Sequence, residues 1–444
     1  MTQTKIIVLD DDPTGSQTVH SCLLLTRWDP QTLGAALADA SPLFFVLTNT
    51  RGMDTERAAA VTREVCHNLK TALDVQAASG HPIAPLLVSR SDSTLRGHYP
   101  VETDVIAEEL GPFDAHFLVP AFFEGGRTTL DSTHYLLVDG RPVPVHETEF
   151  ARDSVFGYST GYLPDYVAEK TGGRIAAAAV ERFLLPELRG NPEGLARRLE
   201  GLRGNACCVV DAEVQADLNA FTDRVLESVA AGKRFLFRSA ASLLTALARL
   251  PPQPVPAEAM GRYRRGDAPG AVVVGSHVKK TTAQLGALLA EPGVTALELD
   301  VDRIAGDRAG LLAETLGRTA AAFAEGRTPV IYTSRLERVF PDQATRLAFG
   351  EQVSALLMDL VRGLPTGLGF LISKGGITSN DVLSDGLALA RSRVLGQVLP
   401  GCSVVRCPDD HPRYPGLPVV IFPGNVGDDG ALALAYRRMA GSGP

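Results

Sequence analysis

Near its amino terminus the chain reads Lys5-Ile6-Ile7-Val8-Leu9-Asp10-Asp11-Asp12-Pro13-Thr14-Gly15. The four consecutive apolar residues, three of them β-branched, predict a buried strand. Three carboxylates follow directly, and Pro13 and Gly15 predict a tight turn that ends the strand. Ligands of an open parallel sheet bind at the carboxyl ends of its strands. This strand is therefore expected to carry acidic groups to the edge of a site.

The acidic run has two interpretations. Three adjacent like charges repel one another unless a metal ion, a cationic side chain or a proton compensates them. A solvated acidic turn is the simpler interpretation, because most charged side chains are merely exposed. The strand directly before the run favours a functional role.

Short apolar runs alternate with amphipathic segments along the whole chain. The predicted strands are 6–9, 43–48, 85–89, 116–119, 174–178, 206–210, 234–238, 271–274, 296–299, 329–332, 369–373 and 419–422. The predicted helices are 55–78, 101–110, 163–169, 214–231, 281–290, 310–325, 343–362 and 381–389. This alternation predicts an α/β protein with mostly parallel sheets flanked by helices.

The length and one proline-rich segment divide the chain. A chain of 444 residues is too long for one ordinary core. Residues 250–256 are rich in proline and residues 262–267 are polar, so we predict an extended linker at 249–270. We predict domains at 1–248 and 271–444, each with its own mostly parallel sheet, and an active site in the cleft between them.

Composition narrows the classes of function. The formal net charge is −8, which disfavours a general nucleic-acid-binding face. The six cysteines include no CxxC pair, which disfavours a zinc site or a disulfide framework. The chain lacks an apolar signal region and any run of about 18 apolar residues, so we expect a cytoplasmic protein without membrane contact. Nothing in the sequence decides whether the chain forms a homodimer.

Polar clusters follow three further predicted strands of the first half. Arg51 follows the second strand, Arg90 and Arg96 flank Asp92 after the third, and Arg127 follows the fourth. The arginine guanidinium is suited to carboxylate or phosphate groups, and the acidic residues are suited to hydroxyls or a metal. The combination predicts a small polyhydroxy acid as the ligand, although a single arginine is more often a surface charge.

Three strands of the second half end in glycine-bearing loops. The loops contain Gly275-Ser276, Gly375-Gly376-Ile377-Thr378 and Gly424-Asn425. Glycine lets backbone N–H groups approach a phosphate closely, so three such loops make a nucleotide site plausible. The sequence contains no GxxxxGK[ST], and no GxGxxG follows a strand, which disfavours a P-loop and a dinucleotide site.

Together these motifs resemble the four-carbon acid sugar kinase family. Asp11-Asp12-Pro13-Thr14-Gly15 is similar to its DDxTG opening, and residues 92–97 are similar to its DSTLRG segment. Residues 120–129 resemble its PAF…GRTT segment and 148–153 its FxxD element. Gly275-Ser276 with Gln284, and then residues 375–378, resemble its nucleotide-domain elements. The resemblance covers nearly the whole chain in order.

The resemblance implies an amino-terminal domain that binds a sugar acid and a carboxy-terminal domain that binds ATP with Mg²⁺. It implies transfer of a phosphoryl group to a hydroxyl of a tetronate-type acid, with Asp12 or Asp11 orienting and deprotonating that hydroxyl. The implied substrate-binding residues are Asp11, Thr14, Gly15, Asn49, Arg51, Arg90, Asp92, Ser93, Arg96, Gly97 and Arg127. The implied nucleotide-binding residues are Gly275, Ser276, Gly375, Gly376, Ile377, Thr378, Gly424 and Asn425. The metal ligands stay unassigned.

Three positions depart from the family pattern. Arg90 stands where the family often has lysine, and His98 stands where it often has asparagine. Ile377 replaces the acidic residue of the usual GGDT, and Asp381 is a candidate substitute for the lost carboxylate. These departures leave open a substrate other than a plain tetronate, or an altered mode of nucleotide binding.

Two other functions compete with this interpretation. Asp10-Asp11-Asp12-Pro13-Thr14 also resembles the DxDxT motif of haloacid-dehalogenase-type phosphatases, with Asp10 as nucleophile and Asp12 as acid/base. That alternative leaves the glycine loops and the arginines unexplained. The other alternative is a sugar-acid-binding protein without catalysis, if the missing acidic group at Ile377 abolishes turnover.

Overall fold

The computed structural model describes residues 3–335, 340, 342–424 and 426–441. The chain divides into two compact units, Met1–Pro251 and Pro252–Pro444. The division falls inside the segment predicted as a linker. No helix in the described part of the chain is both long enough and apolar enough to cross a membrane.

The first unit alternates strands and helices. Its strands are β1 (Gln3–Asp10), β2 (Leu23–Leu25), β3 (Leu43–Leu47), β4 (Ile83–Arg90), β5 (Ala115–Val119), β6 (Arg127–Leu130), β7 (Thr133–Val138), β8 (Arg141–Pro144), β9 (Glu181–Phe183), β10 (Ala206–Val210) and β11 (Phe235–Ser239). Its helices are α1 (Pro30–Leu37), α2 (Thr55–Ala78), α3 (Val101–Leu110), α4 (Leu163–Lys170), α5 (Leu185–Gly190), α6 (Pro192–Gly201), α7 (Gln215–Ala230) and α8 (Ala241–Ala248).

Eight of these strands form a parallel sheet in the order β2-β3-β1-β4-β11-β5-β10-β9. After β1 the chain places β3 on one side of it and then crosses over through α2 to place β4 on the other side. The pairing register sets Asp10 beside Leu47 and Arg90, and Ser239 beside Arg90. Such a reversal of strand order opens a crevice at the carboxyl ends, and the acidic run after β1 lies at that point.

The core explains why these strands stay in place. Ile7 and Leu9 of β1 pack with Leu33, Leu69 and Ile106, which α1, α2 and α3 contribute. All five side chains are at most 4% exposed. Burial of each such side chain stabilises the unit by roughly 1.5–3 kcal/mol. The end of β1 is therefore a rigid support for the acidic residues that follow it.

The second unit follows the same plan. Its strands are β12 (Ala271–Val274), β13 (Val294–Leu299), β14 (Thr328–Thr333), β15 (Leu371–Lys374), β16 (Arg391–Leu399), β17 (Cys402–Arg406) and β18 (Pro418–Phe422). Its helices are α9 (Lys279–Leu289), α10 (Ile304–Ala324), α11 (Gln343–Arg362), α12 (Gly376–Asp381) and α13 (Ala431–Ala440). The sheet order is β13-β14-β12-β15-β18-β17-β16, parallel as far as β18 and antiparallel beyond it.

The two-unit α/β architecture with mostly parallel sheets confirms the predicted fold class. Several local predictions need correction. No strand forms at 174–178, because its alanines carry no large apolar side chain and lie mostly at the surface; the neighbouring strand is β9. The helix predicted at 381–389 starts earlier, at Gly376, and continues as a π-helix over Val382–Gly386.

Several elements were not predicted from the sequence, among them helices α1, α5, α6, α8 and α13. Strands β6, β7 and β8 form a separate antiparallel sheet. Strands β16 and β17 form a hairpin around Pro400 and Gly401, a turn pair that is visible in the sequence. Inside the predicted linker, Ala257–Tyr263 form a 3₁₀ helix, and Met260 is fully buried in the core of the second unit.

Candidate active site

The three aspartates after β1 occupy three different environments. Asp10 is fully buried, Asp11 is 1% exposed, and the side chain of Asp12 is 21% exposed. The turn after them is held by the carboxylate of Asp12, which accepts hydrogen bonds from the N–H of Thr14, at 2.8 Å, and from its hydroxyl. Asp12 is thus the member of the run that a ligand can reach.

Gly15 is required by the packing of this turn. A Cβ atom at this position would lie 2.0 Å from Oδ2 of Asp10, far inside van der Waals contact. The turn therefore covers the Asp10 carboxyl group and keeps water away from it.

Arg51 binds both of the other aspartates. It lies on a one-turn 3₁₀ helix, Thr50–Gly52, directly after β3. Its Nη2 is 2.5 Å and its Nε 3.2 Å from the two oxygens of Asp11, and its Nη1 is 3.1 Å from Oδ2 of Asp12. The guanidinium fork thus fixes the relative orientation of the two carboxylates.

The segment that carries Arg51 is itself anchored. Nε2 of His98 lies 3.1 Å from the carbonyl oxygen of Thr50 and 3.0 Å from that of Met53. The hydroxyl of Thr50 donates to Glu102 at 2.6 Å, and Glu102 forms a buried ion pair with Arg238. His98, Glu102 and Arg238 were not predicted as site residues.

Asp10 and Arg90 lie beneath this ion-paired layer. Nη1 of Arg90 is 3.4 Å from Oδ1 of Asp10, whereas Oδ2 of Asp10 has no hydrogen-bond partner among the described residues. Burial, opposed in part by the charge of Arg90, raises the pKa of Asp10 to about 8. Asp10 is therefore mostly protonated near pH 7.

Asp12 has the opposite electrostatic character. Burial opposes its ionisation, but the charges of Arg51 and Arg90 and the hydrogen bonds from Thr14 outweigh that effect and lower the pKa of Asp12. Burial is also the largest influence on Asp11 and raises its pKa, although the charge of Arg51 opposes the rise. Asp12 is therefore the accessible, ionised acceptor of the run.

The segment 92–97 forms the second wall of the site. Its Asp92 accepts hydrogen bonds from the hydroxyl of Thr94 and, at 2.7 Å, from Nε of Arg96. Burial opposes ionisation of Asp92, but the charges of Arg51 and Arg96 lower its pKa well below the ordinary range. Arg96 also lies 3.5 Å from Asp153 and 4.9 Å from the ring centre of Phe150, so Arg96 is already paired with carboxylates.

Glycine is also necessary within this segment. Gly97 has a φ of +123°, and a Cβ there would lie 2.7 Å from Arg238 and 3.1 Å from Oδ2 of Asp11. This close approach brings the 92–97 segment against the acidic run.

Three buried side chains hold the backbone of this segment. The hydroxyls of Tyr158 and Tyr166 donate to the carbonyl oxygens of Thr94 and Leu95, at 2.7 and 2.8 Å. Nε2 of His134 lies 2.8 Å from the carbonyl oxygen of Ser93, and burial lowers the pKa of His134 to about 4. These are supports of the wall, which the sequence analysis did not identify.

Arg127 differs from the other predicted arginines. Its Nη1 donates to the carbonyl oxygen of Gly125, and its guanidinium lies 5.8 Å from the ring centre of Phe122. Its buried Nε has no partner, and no described carboxylate forms an ion pair with it. Burial lowers the pKa of Arg127, although the charge of Asp92 opposes this effect. Arg127 can therefore receive a carboxylate.

The glycine loops of the second unit also lie together. A Cβ on Gly275 would lie 2.2 Å from Oγ1 of Thr378, and one on Gly375, whose φ is +115°, would lie 3.0 Å from Cβ of Ser276. The hydroxyls of Ser276 and Thr281 are 3.1 Å apart, and Thr281 donates to the carbonyl oxygen of Gly424 at 3.1 Å. The three glycine-bearing loops of the second unit thus lie next to one another.

Gln284 fixes the last of these loops. It is fully buried, and its Nε2 donates to the carbonyl oxygens of Val426 and Asp428, both at 2.8 Å. Asn425, which was predicted as a nucleotide-binding residue, lies outside the described residues.

Ile377, which stands where the family pattern has an acidic residue, lies at the protein surface. Ile377 is 73% exposed, between the half-buried Gly376 and the buried Thr378. The carboxylate of Asp381 accepts hydrogen bonds from the hydroxyl of Ser354 and, at 3.1 Å, from Asn380. Asp381 is thus engaged with α11, so its observed contacts do not make it a substitute at residue 377.

No group of three or more His, Cys, Asp or Glu side chains suited to a metal ion occurs in the described part of the chain. Mg²⁺ in phosphate-transferring sites is commonly held by one or two carboxylates, waters and the substrate phosphates. Within the first unit, Asp12, whose side chain is 21% exposed, is a carboxylate of this kind. Within the second unit, the close contacts at Gly275 and Gly375 leave no room for a Cβ atom, as in loops that bind phosphates through backbone N–H groups.

Sequence comparison assigns both units. The profile of the sugar-binding N-terminal domain family matches residues 6–247, and that of the nucleotide-binding C-terminal domain family matches residues 271–432. The chain belongs to the four-carbon acid sugar kinase family. A D-erythronate kinase of Heliobacterium modesticaldum is 34% identical over 140 residues, which are 30% of this chain and 29% of that relative. The aligned part is therefore less than a third of the relative.

Two solved structures share the fold. A Haemophilus influenzae protein matches 98% of this chain and 100% of its own with a TM-score of 0.66 at 17% identity. A Salmonella typhimurium LT2 protein, provisionally named a tRNA synthase, matches 99% of this chain and 100% of its own with a TM-score of 0.69 at 17% identity. At these identities the likeness of this family member to both proteins concerns the fold alone.

Proposed function

We propose that this protein is an ATP-dependent kinase that phosphorylates a hydroxyl group of a four-carbon sugar acid. The proposal rests on the presence of both an acceptor and a cation in the first unit. Asp12 is accessible and ionised, and Arg127 lacks a carboxylate partner among the described residues. The family membership and the partial match to a D-erythronate kinase support the same substrate class.

The acceptor end of the reaction uses the first unit. Arg127 binds the carboxylate of the sugar acid through charge-assisted hydrogen bonds. Asp12 accepts the hydrogen bond of the attacking hydroxyl, orients its oxygen and takes its proton as the bond to phosphorus forms. Arg51 holds Asp12 in place through Nη1, so the acceptor meets a fixed carboxylate.

The donor end uses the second unit. The cradle around Gly275, Gly375 and Gly424 presents backbone N–H groups to the phosphates of ATP. Mg²⁺, when bound with the nucleotide, neutralises charge on the phosphates and the transferring group. The protein's own contribution is positioning and exclusion of water, since phosphoryl transfer needs little covalent help from the enzyme.

The buried state of Asp10 argues against the phosphatase alternative. A nucleophilic carboxylate must be ionised and accessible to phosphorus. Asp10 is fully buried under Gly15, and its pKa of about 8 keeps it mostly protonated at neutral pH. The same run of aspartates therefore suits activation of a hydroxyl better than formation of an aspartyl phosphate.

An ADP-release assay tests the proposal. Purified protein, ATP and Mg²⁺ are combined with a panel of tetronates, 3-oxo-tetronates and longer sugar acids. We expect ADP release that depends on one four-carbon acid, and an Asp12→Asn variant that is slower by roughly 10²–10⁴-fold in kcat. Asp139→Asn, at an exposed turn, is the matched control.

Two results would contradict the proposal. Sugar-acid binding without ADP release would support the non-catalytic alternative. Phosphate release from sugar phosphates in the absence of ATP, with trapping of a phosphorylated Asp10, would support the phosphatase.

A further inference from the structure

The buried Lys374 of the second unit has no role in the function proposed above. Lys374 ends β15 and is fully buried. Its ammonium group donates to the carbonyl oxygens of Pro423 and, at 3.1 Å, Gly424, and it lies 4.4 Å from the ring centre of Phe422. Lys374 thus spans from one glycine-bearing loop to the next.

The charge of Lys374 has no acidic side chain as a partner in the described part of the chain. No described carboxylate forms an ion pair with it, and the charged or titratable groups that affect it are Lys280 of α9 and Cys402 of β17. Lys280 repels it, and the thiol of Cys402 is uncharged near pH 7 because burial raises its pKa to about 12. An isolated buried ammonium costs several kcal/mol, so such a group either loses its proton or gains an anion.

We propose that Lys374 is the charge partner of the nucleotide phosphates, and that it takes up a proton when they bind to the glycine cradle. The inference rests on the proposed nucleotide site. Lys374 acts from behind the backbone of Gly424, as a positioning residue that contacts the loop and not the reacting atoms. Burial lowers the pKa of Lys374 to about 7, so the empty protein holds a mixture of amine and ammonium near neutrality.

The proton balance is simple. On binding, the neutral amine of Lys374 accepts one proton from the buffer and becomes an ammonium ion, while both hydrogen bonds to the loop are kept. The anionic phosphates then stabilise that charge across a region of low dielectric constant. Nucleotide affinity is therefore linked to pH through this group.

Calorimetric titration of ATP into the full-length protein tests the inference. The titration is done at pH 8, where ATP is fully ionised, in two buffers with different enthalpies of ionisation. We expect uptake of up to about one proton per bound ATP, because a lysine with a strongly lowered pKa is largely neutral at pH 8. Above pH 7 the Kd should rise by up to tenfold for each pH unit.

Variants of Lys374 test whether this residue is the group that takes up the proton. Lys374→Met should abolish the uptake and weaken ATP binding at pH 7 at least about tenfold. Lys374→Arg, which stays charged, should abolish the uptake while ATP binding becomes independent of pH. Lys70→Met, at an exposed position of α2, is the matched control and should behave as the unchanged protein.

The outcomes distinguish the two proposals. Binding of ATP without proton uptake, or with uptake that persists in Lys374→Arg, would overturn the role of Lys374 and leave the proposed kinase intact. Failure of ATP to bind at all would overturn both. The proton uptake and pH dependence of the unsubstituted protein decide the question even if Lys374→Met does not fold.

Discussion

Replacing Asp10 by asparagine separates the structural role of this residue from the catalytic role proposed for Asp12. The pKa of Asp10 is raised from 3.8 to about 8 in the folded protein. A raised pKa means that the stabilising contribution of Asp10 is fully present below pH 3.8 and is lost as the pH rises through about 8. The asparagine side chain has no proton to lose, so its contribution does not change with pH.

The magnitude follows from linkage. Between these two pKa values the folded protein binds one more proton at Asp10 than the unfolded chain does. The free energy of unfolding of the unsubstituted protein should therefore fall, relative to Asp10→Asn, by about 1.4 kcal/mol for each pH unit. From pH 5.5 to 7.5 the difference amounts to about 3 kcal/mol.

The assay uses the single tryptophan of the chain, Trp28, which packs against the core of the first unit. Its fluorescence follows urea unfolding of that unit at several pH values. Asp139→Asn, at an exposed turn of the same unit, should unfold in parallel with the unsubstituted protein. A constant stability difference between Asp10→Asn and the unsubstituted protein over this pH range would refute a protonated Asp10. The proposed kinase activity of Asp10→Asn should stay within about tenfold of the unsubstituted protein, since the amide resembles the neutral acid.

Three further predictions concern other residues of the first unit. Arg127→Met should raise the KM for the sugar acid by roughly 10–150-fold and leave kcat nearly unchanged, because it removes a charged hydrogen bond that contributes about 1.5–3 kcal/mol. Steady-state kinetics measure both constants, and a fall in kcat with an unchanged KM would contradict this role. Gly15→Ala should destabilise the unit by about 1–3 kcal/mol in urea unfolding, because its Cβ would lie 2.0 Å from Asp10, whereas Gly52→Ala, with open space around it, should not; equal effects would count against the packing argument. His98→Ala should release the segment that carries Arg51 and lower kcat/KM, and a stability loss without any kinetic change would show that this anchor does not serve the site.

The sequence was sufficient for the strands that carry the site, since β1, β4, β12 and β15 are apolar runs that end in polar or glycine-rich segments. It could not supply the strand order, because pairing depends on contacts between residues far apart in the chain. The hairpin of β16 and β17 was missed although Pro400 and Gly401 mark its turn. A short run of alanines at 176–178 was mistaken for part of a strand because hydrophobicity alone does not distinguish a buried run from an exposed one.

The roles of the charged residues were harder to predict from the sequence than the strands were. Arg51, Arg90, Arg96 and Arg127 all follow predicted strands, and one motif does not distinguish them. Their roles depend on which carboxylates lie within reach, and the structure pairs three of them with aspartates. Glu102 and Lys374 are buried ionic groups; the sequence pattern placed Glu102 in a helix and Lys374 directly after a strand, and it assigned a role to neither. Burial and pairing, which decide the chemistry of such groups, are properties of the folded chain.

The charge balance of the acidic run explains why a kinase can place three aspartates in succession. With Asp10 protonated, two carboxylates, Asp11 and Asp12, face two guanidinium groups, Arg51 and Arg90. This set is neutral, so it neither repels an anionic substrate nor uses up the cation that must bind it. Arg127 then remains for the carboxylate of the proposed sugar-acid substrate. If Asp10 were ionised instead, the set would carry a net negative charge beside the position proposed for an anionic substrate. Under the proposed function, a protonated Asp10 favours binding of the anionic substrate, so the KM for the sugar acid should rise in the unsubstituted protein as the pH passes 8, but not in Asp10→Asn.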